Sequence, residues 1–138
     1  MSAKDAIHDA VKAALVKDGW RVTGDPHTLR FVELALLPDL AAERPVSAER
    51  AGDKIIVEIK SFPSRSMMRD FELALGQYLI YRAFLEEVDP DRKIYLAVPD
   101  RVYRTFFSLA AIKHVLARYQ VMLVIIDVEA EEVVTWTS

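Results

Sequence analysis

The sequence predicts an α/β fold, a mixed sheet with helices on both faces. Three observations predict it. Apolar residues recur at helical spacing in three segments, short β-branched runs lie between them, and one helix separates two of those runs, which requires a crossover connection. With 138 residues, 52% of them hydrophobic, the chain is long enough to bury a core as one domain spanning 1–138.

Residues 4–19 form the first helix, because Ile7, Val11, Ala14 and Leu15 share a stripe and Gly19 follows as a stop. "WRVT" at 20–23 is a strand, "GDPHT" a turn, and "LRFVELALL" at 29–37 an extended segment leading to "PDL" at 38–40. "RPVSAERAGDKIIVEIKSF" at 44–62 reads as two strands around the turn "AGD". A long helix follows at 64–87, with Ser64 or Ser66 as its cap and Phe71, Leu75, Tyr78 and Leu85 on one stripe. "KIYLAVP" at 93–99 is an apolar strand, 103–119 another helix, "VMLVIIDV" at 121–128 a buried strand, and "EEVVTWT" a short terminal segment. The order is αβββαβαβ, the three early strands forming a meander.

There is no cysteine, which excludes a disulfide framework and thiolate metal sites and fits a reducing, cytoplasmic setting. The N-terminal segment has scattered charges in place of a signal-peptide core, and the apolar run at 121–126 is too short to span a bilayer, so no membrane role is expected. A net charge of −3 argues against strong unspecific binding to a polyanion. Locally the balance reverses: from Ile59 to Arg69 there are Lys60, Arg65 and Arg69 and no acid. If phosphate, and with it DNA, is bound anywhere, the place is beside "VEIK".

Alternation places Glu58 and Lys60 together on the side of their strand opposite Val57 and Ile59. That side is either plain solvent or a site. If the hairpin turns at 51–53, Val46 lies opposite Val57 and Ala48 opposite Ile55, and Glu43 extrapolates to a position facing Lys60. Asp39 lies further along, and a bulge or bend near Pro45 is needed to bring it back. Gln77 and Tyr81 are four apart on one face of the following helix. His8 is a polar residue midway along the first helix.

Element order, Pro38-Asp39 and Glu58-Ile59-Lys60 together resemble the restriction-endonuclease-like, or PD-(D/E)xK, superfamily, and the Gln77/Tyr81 spacing resembles its RecB-like branch. The resemblance implies two carboxylates, Glu58 with Asp39 or Glu43, holding Mg²⁺ (or Mn²⁺) against a phosphate. It further implies that Lys60 assists the nucleophile and Gln77 orients the site or contacts DNA, with Tyr81 and His8 as additional site residues and Arg65 and Arg69 on DNA. A resemblance covering most of the chain is more specific. "AKDAIHDAVKAALVKDGW", "DLAAE", "VEIKSF", "ALGQYLIY" and "VVTW" resemble the XisH family of cyanobacterial fdxN element excision controlling factors, although Ala41 stands where that pattern implies glycine. It implies a protein that helps a separate site-specific recombinase, with a companion excision factor, to excise a DNA element. Two functions follow as expectations: a metal-dependent nuclease, for which the superfamily resemblance implies a homodimer because cutting two strands needs two sites, or a regulator that keeps the fold and acts through a protein partner.

Overall fold

The computed structural model describes residues 3–27, 29–31, 34–36 and 45–137, with side chains from 5–27 and 45–137. In chain order the elements are α1 (Ala3–Lys17), β1 (Arg21–Gly24), β2 (Leu29–Phe31), β3 (Leu34–Leu36), β4 (Val46–Arg50) and β5 (Asp53–Ile59), then α2 (Met67–Val88), β6 (Lys93–Pro99), α3 (Asp100–Thr105), α4 (Ala110–Arg118), β7 (Leu123–Asp127) and β8 (Glu132–Thr137). Six strands make one sheet in the order β1-β4-β5-β6-β7-β8, while β2 and β3 pair as a separate ribbon. The β5/β6 and β6/β7 pairs are parallel and the remaining pairs of the large sheet antiparallel. The expected α/β class, a mixed sheet flanked by helices, is the one observed.

Two successive parallel crossovers advance in the same direction, from β5 to β6 to β7. Because such connections share one hand, both must cover the same face. Accordingly α2, α3 and α4 pack on Ile56, Leu96, Val98 and Leu123. The opposite face is left to α1, whose Ile7, Ala10, Val11, Ala14 and Leu15 cover Val57, Ile59, Ala97 and Val124. Gly19, at φ +90°, ends α1: its amide donates to Val16 O (3.0 Å) and the Trp20 amide to Leu15 O (2.9 Å), which satisfies the last carbonyls. The end of α1 is then tied to the end of the chain. Trp136 Nε1 donates to Asp18 Oδ2 (3.0 Å), Lys17 Nζ to Ala130 O (2.9 Å), and the Trp20 and Trp136 rings lie 5.8 Å apart.

The β4/β5 hairpin has the register read from its alternation, Val46↔Val57 and Ala48↔Ile55. Its two-residue loop, Ala51-Gly52, has both residues at positive φ (49° and 87°), the twist that matches a strand pair. Pro45 lies just before β4, where its missing N–H costs no ladder bond, and its carbonyl accepts from the His27 amide (3.0 Å).

Three sequence expectations differ from the structure. The early strands are not a simple meander: β1 pairs directly with β4, and β2 and β3, which lie between them in sequence, pair with each other as a separate ribbon. The helix expected at 103–119 is two helices, α3 and α4, without proline or glycine at the break. Two causes are visible. Thr105 Oγ1 donates to Arg101 O (2.6 Å) and Ser108 Oγ to Thr105 O (2.9 Å), competing with the helical ladder, while Phe107 turns inward onto Phe62 and Phe71, each with ring centroids 5.6 Å away. Finally, the terminal segment is a full edge strand on β7.

Ala51 carries a Cβ in a left-handed conformation, which costs about 1 kcal/mol relative to a residue suited to it. Ala51→Asn should therefore stabilise the protein by up to about 1 kcal/mol and raise the thermal midpoint by a few degrees in calorimetry.

Candidate active site

The parallel strands β5 and β6 end on the same edge, and the conserved direction of their alternation decides what lies beneath α2. Ile55, Val57 and Ile59 go to the α1 face; Ile56, Glu58 and Lys60 go to the α2 face. Glu58 is 3% exposed and Lys60 7%, so the solvent-face reading of the alternation is removed. Among the described residues the buried polar or charged side chains are His8, Ser47, Glu58, Lys60 and Ser61, three of them within four positions. A carboxylate and an ammonium withdrawn from water cost several kcal/mol unless partnered, so such a concentration marks a site.

The α2 helix supplies the polar cover. Its Ser66 cap accepts from the Arg69 amide (3.2 Å), and Phe71, Ala74, Tyr78, Tyr81 and Leu85 face the sheet. On the flank of that stripe, Gln77 Oε1 accepts a hydrogen bond from Lys60 Nζ. One turn on, the Tyr81 hydroxyl donates to His27 O (3.4 Å). Burial and the nearby Glu58 carboxylate push the Tyr81 phenol up to about 12, so it remains a proton donor throughout the physiological range. Glu58, Lys60, Gln77 and Tyr81 are thus brought together.

Lys60 keeps its place in the ladder, its amide donating to Ala97 O (3.0 Å). Immediately afterwards the chain turns: Phe62 has φ 54°, a left-handed conformation that is rare for a bulky side chain. Two features hold it there. Its ring packs on Phe107, and Arg101 Nη2 donates to both Ser61 O (2.7 Å) and Phe62 O (3.2 Å). Arg101 was not legible as a site residue, since it lies 41 positions from Lys60 and only the β5/β6 pairing brings them together. Beside this turn lies a cleft of about 500 Å³, lined among others by Ser61, Asp100, Arg101, Arg104 and Asp127.

His8 lies on α1, which covers the other face of the sheet. Its Nε2 is 2.8 Å from Asp25 Oδ1, and Lys12 Nζ is 2.7 Å from Asp25 Oδ2. Burial alone would push the Asp25 carboxyl up, but the hydrogen bonds and charges of Lys12 and His8 outweigh it and hold the group below its ordinary value. Among the described residues His8 is linked toward the Glu58 side through Asp25 and the backbone to His27, whose carbonyl accepts from Tyr81. Neither Asp25 nor Lys12 was singled out from sequence; the signal available was the helical spacing of His8 and Lys12, four apart. Arg65 and Arg69 are exposed and in no ion pair among the described residues. Asp39 and Glu43 lie outside the described residues, and among those described no group of three His, Cys, Asp or Glu side chains is placed to hold a metal ion. What the described residues offer a hard cation is the carboxylate of Glu58. No helix among them is long and apolar enough to cross a membrane.

A family model described as XisH protein matches residues 1–134. Two crystal structures are similar over nearly all of both chains. One is an XisH family protein from Nostoc punctiforme PCC 73102, 42% identical, with a TM-score of 0.90, covering 97% of this chain and 100% of its own. The other is an fdxN element excision controlling factor protein from Anabaena variabilis, also 42% identical, with a TM-score of 0.89 and coverage of 97% and 99%. No curated protein matches the chain.

Two predictions test this geometry. Gln77→Leu strips the buried Lys60 ammonium of an acceptor and should cost about 1–3 kcal/mol in chemical denaturation; adding Lys60→Met should recover part of the loss, because an apolar pair leaves no donor stranded. Asp25→Asn should cost about 1–2 kcal/mol at neutral pH. Since the fold lowers the Asp25 pKa, its contribution is full above the ordinary value of 3.8 and disappears as pH falls through the folded value. The difference between wild type and Asp25→Asn should therefore close in acid.

Proposed function

The chain belongs to the XisH family, and from that premise we propose that it is a controlling factor for excision of a DNA element, acting through a metal-dependent nuclease-type site on β5 and α2. One observation carries the reading: Glu58 and Lys60 are buried side by side against Gln77 and Tyr81, at the end of a parallel strand where α/β sheets place their ligands. In this proposal Glu58, with Asp39 or Glu43, holds Mg²⁺ (or Mn²⁺). A bound hard cation supplies charge neutralisation at a phosphate and lowers the pKa of water.

The chain's own residues divide the remaining work. Gln77 fixes the Lys60 ammonium, which donates to the incoming water or to the charge that develops on phosphorus-bound oxygen. Arg101 holds the Ser61-Phe62 carbonyls and so prevents the backbone beyond Lys60 from drifting. Tyr81, kept protonated, places its hydroxyl near Glu58 while donating to His27 O. The exposed Arg65 and Arg69 form the basic approach for DNA. A site-specific recombinase and a companion excision factor are the protein partners of this reading.

A second reading has its own observation. Lys60 is only 7% exposed and its amine is already engaged by Gln77, which leaves a phosphate no direct access unless the cover moves. That favours a regulator that retains the site without turnover.

The expected outcome for the first reading is Mn²⁺ binding by the wild type in calorimetry and none by Glu58→Ala, with nicking of duplex, branched or single-stranded DNA that falls at least about a hundredfold in Lys60→Ala while DNA affinity is kept. Equal Mn²⁺ binding by Glu58→Ala would remove Glu58 from the site. A Lys60→Ala protein that supports excision in cells as well as the wild type would establish the regulator.

A further inference from the structure

The outward face of α2 is unusual. Opposite its buried stripe lies a second one, Arg69, Leu73, Gly76, Ile80, Ala83 and Glu87, spaced 4-3-4-3-4 and confined to about 80° of the helix circumference. That spacing is the seam of a helix that packs against another helix. Leu73 is 60% and Ile80 53% exposed, Ala83, Arg69 and Glu87 are exposed, and a side chain added at Gly76 would meet nothing within 4 Å.

The seam is complementary to its own reverse. Laid antiparallel on a second copy and centred on position 78, it sets Leu73 against Ala83, Ile80 against Gly76, and Arg69 against Glu87, each pairing occurring twice. Large residues meet small ones throughout, and opposite charges meet at both ends. Arg69 shares the first turn of α2 with Asp70, and the last turn has Glu86 and Glu87 and no base, so the two charges of the seam itself lie at the ends opposite to those suited to α2. The helix dipole disfavours that arrangement, whereas an antiparallel neighbour favours it. Among the described residues neither Arg69 nor Glu87 has an ion-pair partner.

We propose that α2 is the interface of a two-fold symmetric homodimer, packed antiparallel on α2 of a second copy about Gly76 and Ile80. An isologous contact needs one self-complementary patch, and this seam is one. The ion pairs fix register more than affinity, the apolar steps supplying most of the latter. Arg69 then meets Glu87 of the second copy at the rim of the seam, beside Arg65. The axis passes level with position 78, so the two copies of Gln77 are offset from it along α2 by about 1.5 Å in opposite directions. The inference is independent of whether the Lys60–Gln77 pair is catalytic.

Sedimentation of the full chain should give twice the monomer mass. Ile80→Glu should weaken the dimer more than about a hundredfold, because a charge is buried at the centre of the seam. Arg69→Glu and Glu87→Arg should each weaken it roughly tenfold, and the double reversal should restore it. Because the chain has no cysteine, Leu73→Cys and Ala83→Cys proteins can be mixed under oxidation: a disulfide should form between the two and in neither alone. This mixing test stands even if Ile80→Glu fails to fold. A monomer at all concentrations, a dimer indifferent to Ile80→Glu and to charge reversal, or the absence of the mixed disulfide would each overturn the proposal.

Discussion

A single strand covered on both faces by different kinds of core governs this structure. Alternation divides β5 into an apolar side, sealed by α1, and a side shared between Ile56 and the charged pair Glu58 and Lys60, sealed by α2. A slip of one residue in the β4/β5 register would drive both charges into the α1 core, among alkyl and aromatic side chains. The turn residues Ala51 and Gly52 are what forbid that slip, since a two-residue loop of this hand permits one pairing. Strained backbone at the turn and buried charge at the far end are therefore two ends of one constraint.

Helix α2 answers this constraint by being amphipathic in three directions. One stripe completes the core, its flank supplies Gln77 and Tyr81 to the charged pair, and its outer line presents an apolar seam. The helix carries little amphipathic contrast as a result, because apolar residues occur nearly all round it. That mixture is costly for a lone surface helix and reasonable for one that is covered on more than one side.

Much of this was legible in the sequence, for identifiable reasons. The hairpin register followed from β alternation and a short turn; the pairing of Glu58 with Lys60 and of Gln77 with Tyr81 followed from two local periodicities, while the meeting of the two pairs was what the resemblance implied. What escaped reading depended on residues distant in sequence. Phe107 breaks the third predicted helix because Phe62 and Phe71 need it, and Arg101 reaches Ser61 only once β6 lies beside β5. His8 illustrates the intermediate case: its position on the helix was plain, but the turn that brings Asp25 to it was not. The outer seam of α2 was likewise hidden, since in sequence its leucine and isoleucine are indistinguishable from core.

The bonds joining the end of α1 to β8, from Asp18 to Trp136 and from Lys17 to Ala130, have a consequence for synthesis. During synthesis α1 precedes every strand that it covers, β7 included, and part of its anchorage is on β8, which follows them. The segment from β4 to β7 can assemble around α2 while Ile7, Val11 and Leu15 still lack their full cover. An apolar helix therefore waits for its full cover until β7 and β8 have followed it, and the docking of β8 is the step that completes its anchorage.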